Sequence, residues 1–137
     1  MRQIDKIILH CSATRECDDS VNAAVIDRWH KARGWRGCGY HYVVLINGKI
    51  ETGRMIDEIG AHVKNMNFSS IGICYVGGLE KDGKTPKDTR TPEQKESLLL
   101  LLKTLKKMFP EATLHGHNEF AAKACPSFDV KKEYPTL

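Results

Sequence analysis

Two short apolar runs constrain this chain more than any other feature. "KIILHCS" (residues 6–12) and "SIGICYVGG" (residues 70–78) are rich in isoleucine, too brief for core helices, and closed by turn-forming residues. Runs of this kind are buried β-strands, and the first ends on a histidine, His10. Segments with helical spacing alternate with them. In "SVNAAVIDRWHKARG", Val25, Trp29 and Ala32 recur three or four apart, Ser20 can cap the start, basic residues crowd the end and Gly34 stops it. A helix is expected over 21–33. Thr91-Pro92-Glu93-Gln94 has the form of a capping box with proline at the first helical position. It opens a helix to about Met108 that aligns Leu98, Leu101, Leu102 and Leu105 on one side.

"YHYVVLINGKIETGR" reads as a β-hairpin around Asn47-Gly48, a dipeptide that tolerates the positive φ angles of a tight turn. Residues 79–91 are polar and rich in turn formers, so a surface loop is expected there. "ATLHGH" is a short strand, and a last helical turn follows Ser127. This alternation predicts an α/β fold, one domain over residues 1–137 with a mixed central β-sheet flanked by helices. A chain of 137 residues is long enough for one core and too short for two.

Several function classes are excluded at this point. The leucine run Leu98–Leu102 is closed in by Lys95, Lys103, Lys106 and Lys107, far short of the ~20 apolar residues of a membrane span. The start, "MRQIDKIILHCSAT", lacks the apolar stretch of a signal peptide, so synthesis and residence in a cytoplasm are expected. Five cysteines at irregular spacings, with no CxxC pair, favour reduced thiols over a disulfide framework or a zinc ribbon. The net charge of +4 is spread over scattered basic residues, and no nucleic-acid partner is expected.

The chemistry concentrates in "HNEFAAKACPS" (residues 117–127), which gathers His117, Lys123 and Cys125. His10, at a strand end before the polar "CSAT" turn, is the best further ligand, because strand ends and the loops beyond them carry reacting groups in α/β folds. Two imidazoles and a thiolate suit Zn²⁺, and three protein ligands leave the fourth tetrahedral position to water, as in a hydrolytic site. Taken singly, each residue has an ordinary explanation. A histidine at a strand end is commonly just hydrogen-bonded, a cysteine before proline is a small buried hydrophobe, Lys123 is a solvated charge and Tyr40 packs. Spacing alone does not reach a function.

Four ordered motifs do. "ILHCSAT", "GYHYVVLINGKIETGR", "AHVKNMNFSSIGICYVGG" and "KACPSFD" closely resemble the zinc-dependent N-acetylmuramoyl-L-alanine amidases of the phage lysozyme type, in the superfamily of the peptidoglycan recognition proteins. The similarity covers about residues 5–130. It implies that His10, His117 and Cys125 ligate one zinc ion per chain, with Tyr40 and Lys123 catalytic. His115 is the rival ligand, at the wrong spacing from Lys123. The reaction implied is hydrolysis of the amide joining N-acetylmuramic acid to L-alanine of the stem peptide. His62 and Asn65, and more weakly Trp35 and Arg54, are candidates for the glycopeptide cleft, while His41 is expected on the opposite strand face from Tyr40. The partner implied is peptidoglycan, acted on by a monomer. The longer N-terminal segment with which some phage members bind and inhibit RNA polymerase has no counterpart here, so that activity is not expected. A non-catalytic peptidoglycan-binding module and a metal-free cysteine hydrolase using Cys125 with His117 are the competing readings.

Overall fold

The computed structural model describes residues 2–137. The chain runs β1 (Lys6–Cys11), β2 (Thr14–Arg15), α1 (Ala23–Ala32), β3 (Tyr42–Val44), β4 (Ile50–Thr52), β5 (Ser70–Tyr75), β6 (Gly78–Leu79), α2 (Pro92–Met108), β7 (Thr113–Gly116) and α3 (Val130–Glu133). Five strands form one sheet in the order β4-β3-β5-β1-β7, with β3–β4 antiparallel and the other pairings parallel. The two apolar runs, β1 and β5, are its centre. The sheet is mixed, as the sequence predicts. Among the described residues no helix is long and apolar enough to cross a membrane.

Local details depart from the sequence reading where short polar groups compete. α1 starts at Ala23, capped by Asn22, whose side-chain oxygen accepts the Val25 N–H at 3.0 Å. Ser20 caps nothing, because its hydroxyl and amide both bond to Asp18. In the β3–β4 connection only Gly48 takes a positive φ, 88°, with Gly48 N–H bonded to Leu45 O and Leu45 N–H to Lys49 O. That is a longer turn with a glycine bulge, not the two-residue turn expected. A second, two-stranded sheet of β2 and β6 was not foreseen, since two residues are too few to show a period. The capping box at Thr91 and Gln94 is present as read.

Strand alternation divides the main sheet into two unlike faces. Ile7 and Leu9 of β1, Ile71, Ile73 and Tyr75 of β5, and Val44 of β3 pack against Leu98, Leu101, Leu102 and Leu105 of α2. Each such side chain, removed from water, contributes about 1.5–3 kcal/mol. The opposite face carries Ile8 and His10 of β1 in register with Gly72 and Cys74 of β5. Val43 and Cys74 there meet Val21, Ile26 and Cys38.

The expected surface loop 79–91 holds one buried exception. The Arg90 guanidinium pairs with Asp88 and Glu133, donates to the Tyr134 hydroxyl and lies 3.7 Å over the Phe128 ring. With the Tyr75 hydroxyl donating to Pro126 O at 2.6 Å, it fastens the segment that carries Cys125 to the sheet.

Candidate metal centre

β1 delivers His10 to the α1 side of the sheet, buried, near the C-terminal end of this inner strand and one residue before it stops. β7 ends at Gly116 and the chain turns at once into a single 3-10 turn that opens on His117. The following loop returns Cys125 alongside β1, where its sulfur accepts the Cys11 backbone N–H at 3.2 Å. One donor atom each from His10, His117 and Cys125 lies within 4.8 Å of the others. The Cys125 sulfur is 3.8 Å from His10 Nδ1, close to the ~3.5 Å that a tetrahedral zinc imposes between sulfur and nitrogen ligands. His115, the rival, lies outside this group: its ring bonds to Glu119 and to Thr113.

The electrostatics suit a cation. Burial, with His62, His117 and Lys123 adding to it, pushes the His10 imidazole well below its ordinary range. Burial and then Lys123 lower His117 as well. Both rings are therefore neutral at pH 7 and hold a free lone pair. Contact with the Cys11 thiol, then burial, pushes the Cys125 thiol up, so without a cation beside it the thiolate is disfavoured. Two neutral imidazoles and one thiol that needs a positive neighbour to ionise form a donor set that fits a borderline-soft ion.

Tyr40 and Lys123 border the same cleft of about 200 Å³, together with Ser12, Trp29, His30, Arg33, His117 and Cys125. The Tyr40 ring centroid is 5.0 Å from that of His10. Burial raises its phenol well above the ordinary value, so it stays a proton donor. Lys123 is exposed at the rim. His41, expected on the opposite face from Tyr40, shares its side. Regular strand begins only at Tyr42, and the His41 ring lies 5.9 Å from that of His62.

The four cleft candidates scatter. His62 sits behind His10, with its Nδ1 2.8 Å from His10 Nε2, and does not line the cleft. Asn65 occupies an exposed turn with φ 70°. Trp35 packs against His30, ring centroids 4.5 Å apart and planes tilted by 54°, and His30 does line the cleft. Arg54 donates to Cys38 O and Ile59 O and borders a separate opening of about 720 Å³ beside α1. Sequence reasoning missed His30, whose Nδ1 accepts the Gly39 N–H at 2.8 Å. Its signal was present, a histidine in step with Ile26 and Arg33 on one side of α1.

Comparison with known proteins shows the family. A family model described as N-acetylmuramoyl-L-alanine amidase matches residues 1–128. The chain belongs to that family. The amidase is 44% identical over 128 residues to the endolysin of Escherichia phage T7, covering 93% of this chain and 83% of the relative. It is 42% identical over 131 residues to the endolysin of Klebsiella phage KP32, covering 96% and 85%. Among solved structures it resembles N-acetylmuramoyl-L-alanine amidase LysC from Clostridium intestinale URNW, with a TM-score of 0.80 at 27% identity over 96% of this chain and 82% of that one. The amidase is thus a peptidoglycan hydrolase by family, on the mixed-sheet α/β fold that the sequence predicts.

Proposed function

We propose that this amidase cleaves the amide between the lactyl group of N-acetylmuramic acid and L-alanine of the stem peptide, with one zinc ion held by His10, His117 and Cys125. The observation that carries the reading is the convergence of these three donors, from β1 and from the loop after β7, on one point at the edge of a cleft. When bound, zinc supplies Lewis acidity toward the scissile carbonyl and acidifies water to near neutrality.

The chain's own groups supply the rest. The Lys123 ammonium, at the rim of the cleft, is suited to the negative oxygen that develops as the carbonyl becomes tetrahedral. The Tyr40 phenol, kept protonated by burial, orients water or passes a proton in the same space. Cys11 N–H, donating to the Cys125 sulfur, favours its thiolate. On this reading the protein acts as a monomer, with residues 1–137 as one amidase domain, on the bacterial cell wall.

Digestion of purified peptidoglycan followed by mass spectrometry tests the bond: free stem peptides with an N-terminal alanine are expected, and glycan fragments with intact peptides would refute the assignment. Metal analysis of the same preparation is expected to give one zinc per chain. The non-catalytic binding module predicts no soluble product at all. The cysteine hydrolase predicts activity that survives a chelator and dies with thiol alkylation.

A further inference from the structure

His62 is the residue the sequence placed in the cleft and the fold places elsewhere. Its ring bridges two groups: Nδ1 is 2.8 Å from His10 Nε2, and Nε2 is 3.1 Å from the Ser70 hydroxyl. The fold makes specific room for it. A Cβ on Gly72 would stand 2.6 Å from the His62 ring, and one on Gly60 would stand 2.7 Å from it. The Asn67 side chain accepts the backbone N–H groups of both His62 and Val63 at 2.9 Å, which holds the turn that presents the ring. His41, the next imidazole along, is already committed, with Nδ1 accepting the Gly72 N–H and Nε2 reaching Glu58 O.

A neutral imidazole has one N–H and one lone pair. In the line His10–His62–Ser70 the protons must therefore all run the same way. If they run inward from Ser70, His10 carries its proton on Nδ1, the nitrogen that faces Cys125. If they run outward from His10, Nδ1 presents a lone pair toward Cys125 and His117. A ring nitrogen can ligate an ion only in the second arrangement.

We propose that His62 and Ser70 are positioning residues of the metal centre: His62 accepts the Nε2–H of His10 and passes its own Nε2–H to Ser70, which keeps His10 Nδ1 open to the ion. The inference rests on the zinc reading above and deepens it. Outer partners of this kind fix the tautomer and ring orientation of a ligating histidine. Here the partner is itself a histidine, wedged against two glycines, so the orientation depends on packing as well as on a hydrogen bond.

The test measures zinc affinity of the full chain by competition with a chromogenic chelator, for wild type and for His62→Ala, His62→Asn and Ser70→Ala. His62→Ala is expected to lose affinity by roughly 10–100-fold. His62→Asn, whose side-chain oxygen can still accept from His10, is expected to lie closer to wild type, and Ser70→Ala between the two. Long-range ¹H–¹⁵N spectra of the zinc-loaded wild type are expected to show His62 protonated at Nε2 alone, a readout that needs no variant to fold. Unchanged affinity in His62→Ala, or a proton on His62 Nδ1 in the loaded protein, overturns the inference and leaves the zinc reading standing. A wild type that takes up no zinc overturns both.

Discussion

The two faces of the central sheet are built from the same strands and do opposite work. On the α2 side, Ile7, Leu9, Ile71 and Ile73 meet a row of leucines, and the burial is mostly apolar, with Gln94 at the start of α2 buried but bonded through its amide to Val44 O and Val76 O. On the α1 side, the positions one residue along hold His10, Ser70 and Gly72, with His41 and His62 packed over them. Polar groups buried in that number are tolerable because each is hydrogen-bonded: no buried side-chain nitrogen or oxygen lacks a partner among the described residues. One face is a nearly continuous apolar layer, and the other combines a smaller apolar cluster with imidazoles held neutral and in place.

Substitutions that respect this division should separate activity from stability. The largest effect falls at the donors. His117→Ala or Cys125→Ser, or removal of metal by a chelator, is expected to lower turnover on purified cell wall by on the order of 10³-fold or more, with little change in the thermal midpoint of the metal-free protein. A donor variant that retains near-normal turnover would break the assignment.

Tyr40→Phe and Lys123→Ala come next. Loss of a positioned proton donor or of a cation at a developing oxyanion lowers kcat by roughly 10²–10³-fold, while zinc content stays unchanged. Steady-state kinetics on both variants, with metal analysis alongside, sharpens the division of roles, and near-wild-type turnover in either removes its residue from the reaction.

On the other face, Leu102→Ala is expected to reduce unfolding free energy by about 2–5 kcal/mol and to leave the kcat of the folded fraction as it was. Denaturant melts read the first quantity and assays well below the midpoint read the second. A lowered kcat in folded protein would mean that the two faces are coupled.

A last effect is a pH dependence carried by the polar face. Burial pushes His41 down to about 4 and His62 down to about 3, whereas both titrate near 6.5 when the chain is unfolded. Protons therefore bind the unfolded chain more readily. The stability these rings contribute is fully present above pH 6.5 and is lost as pH falls through 4 and then 3. For His41 the difference is on the order of 3 kcal/mol. Denaturant melts of metal-free protein between pH 7 and 4 should show the decline, and His41→Gln should make it shallower, with His62 still contributing. An equal slope in that variant would assign the decline to other groups.

The elements with strong local signals were legible in advance. β1, β5 and α2 declare themselves by composition and by the capping box at Thr91, because their residues prefer those conformations and bury by simple alternation or helical spacing. α1 was legible as an element, though not its cap, since Ser20 and Asn22 offer similar side-chain oxygens and only the Asp18 contact decides between them. β2 and β6 left no trace, being defined by each other.

The candidate site divides in the same way. His10, His117 and Cys125, with Tyr40 and Lys123, could be named as candidates from motifs that resemble those of the amidase family, because a motif carries its side-chain types wherever the chain puts them. What the sequence by itself determined was therefore the fold class, the core and the chemical inventory. Tertiary structure alone decided that His62 stands behind His10 and that His30 borders the cleft while Arg54 lines another opening. Those assignments depend on which ring fits over Gly72 and Gly60 and on where α1 lies against the sheet. Such contacts join residues far apart in sequence, and no local preference encodes them.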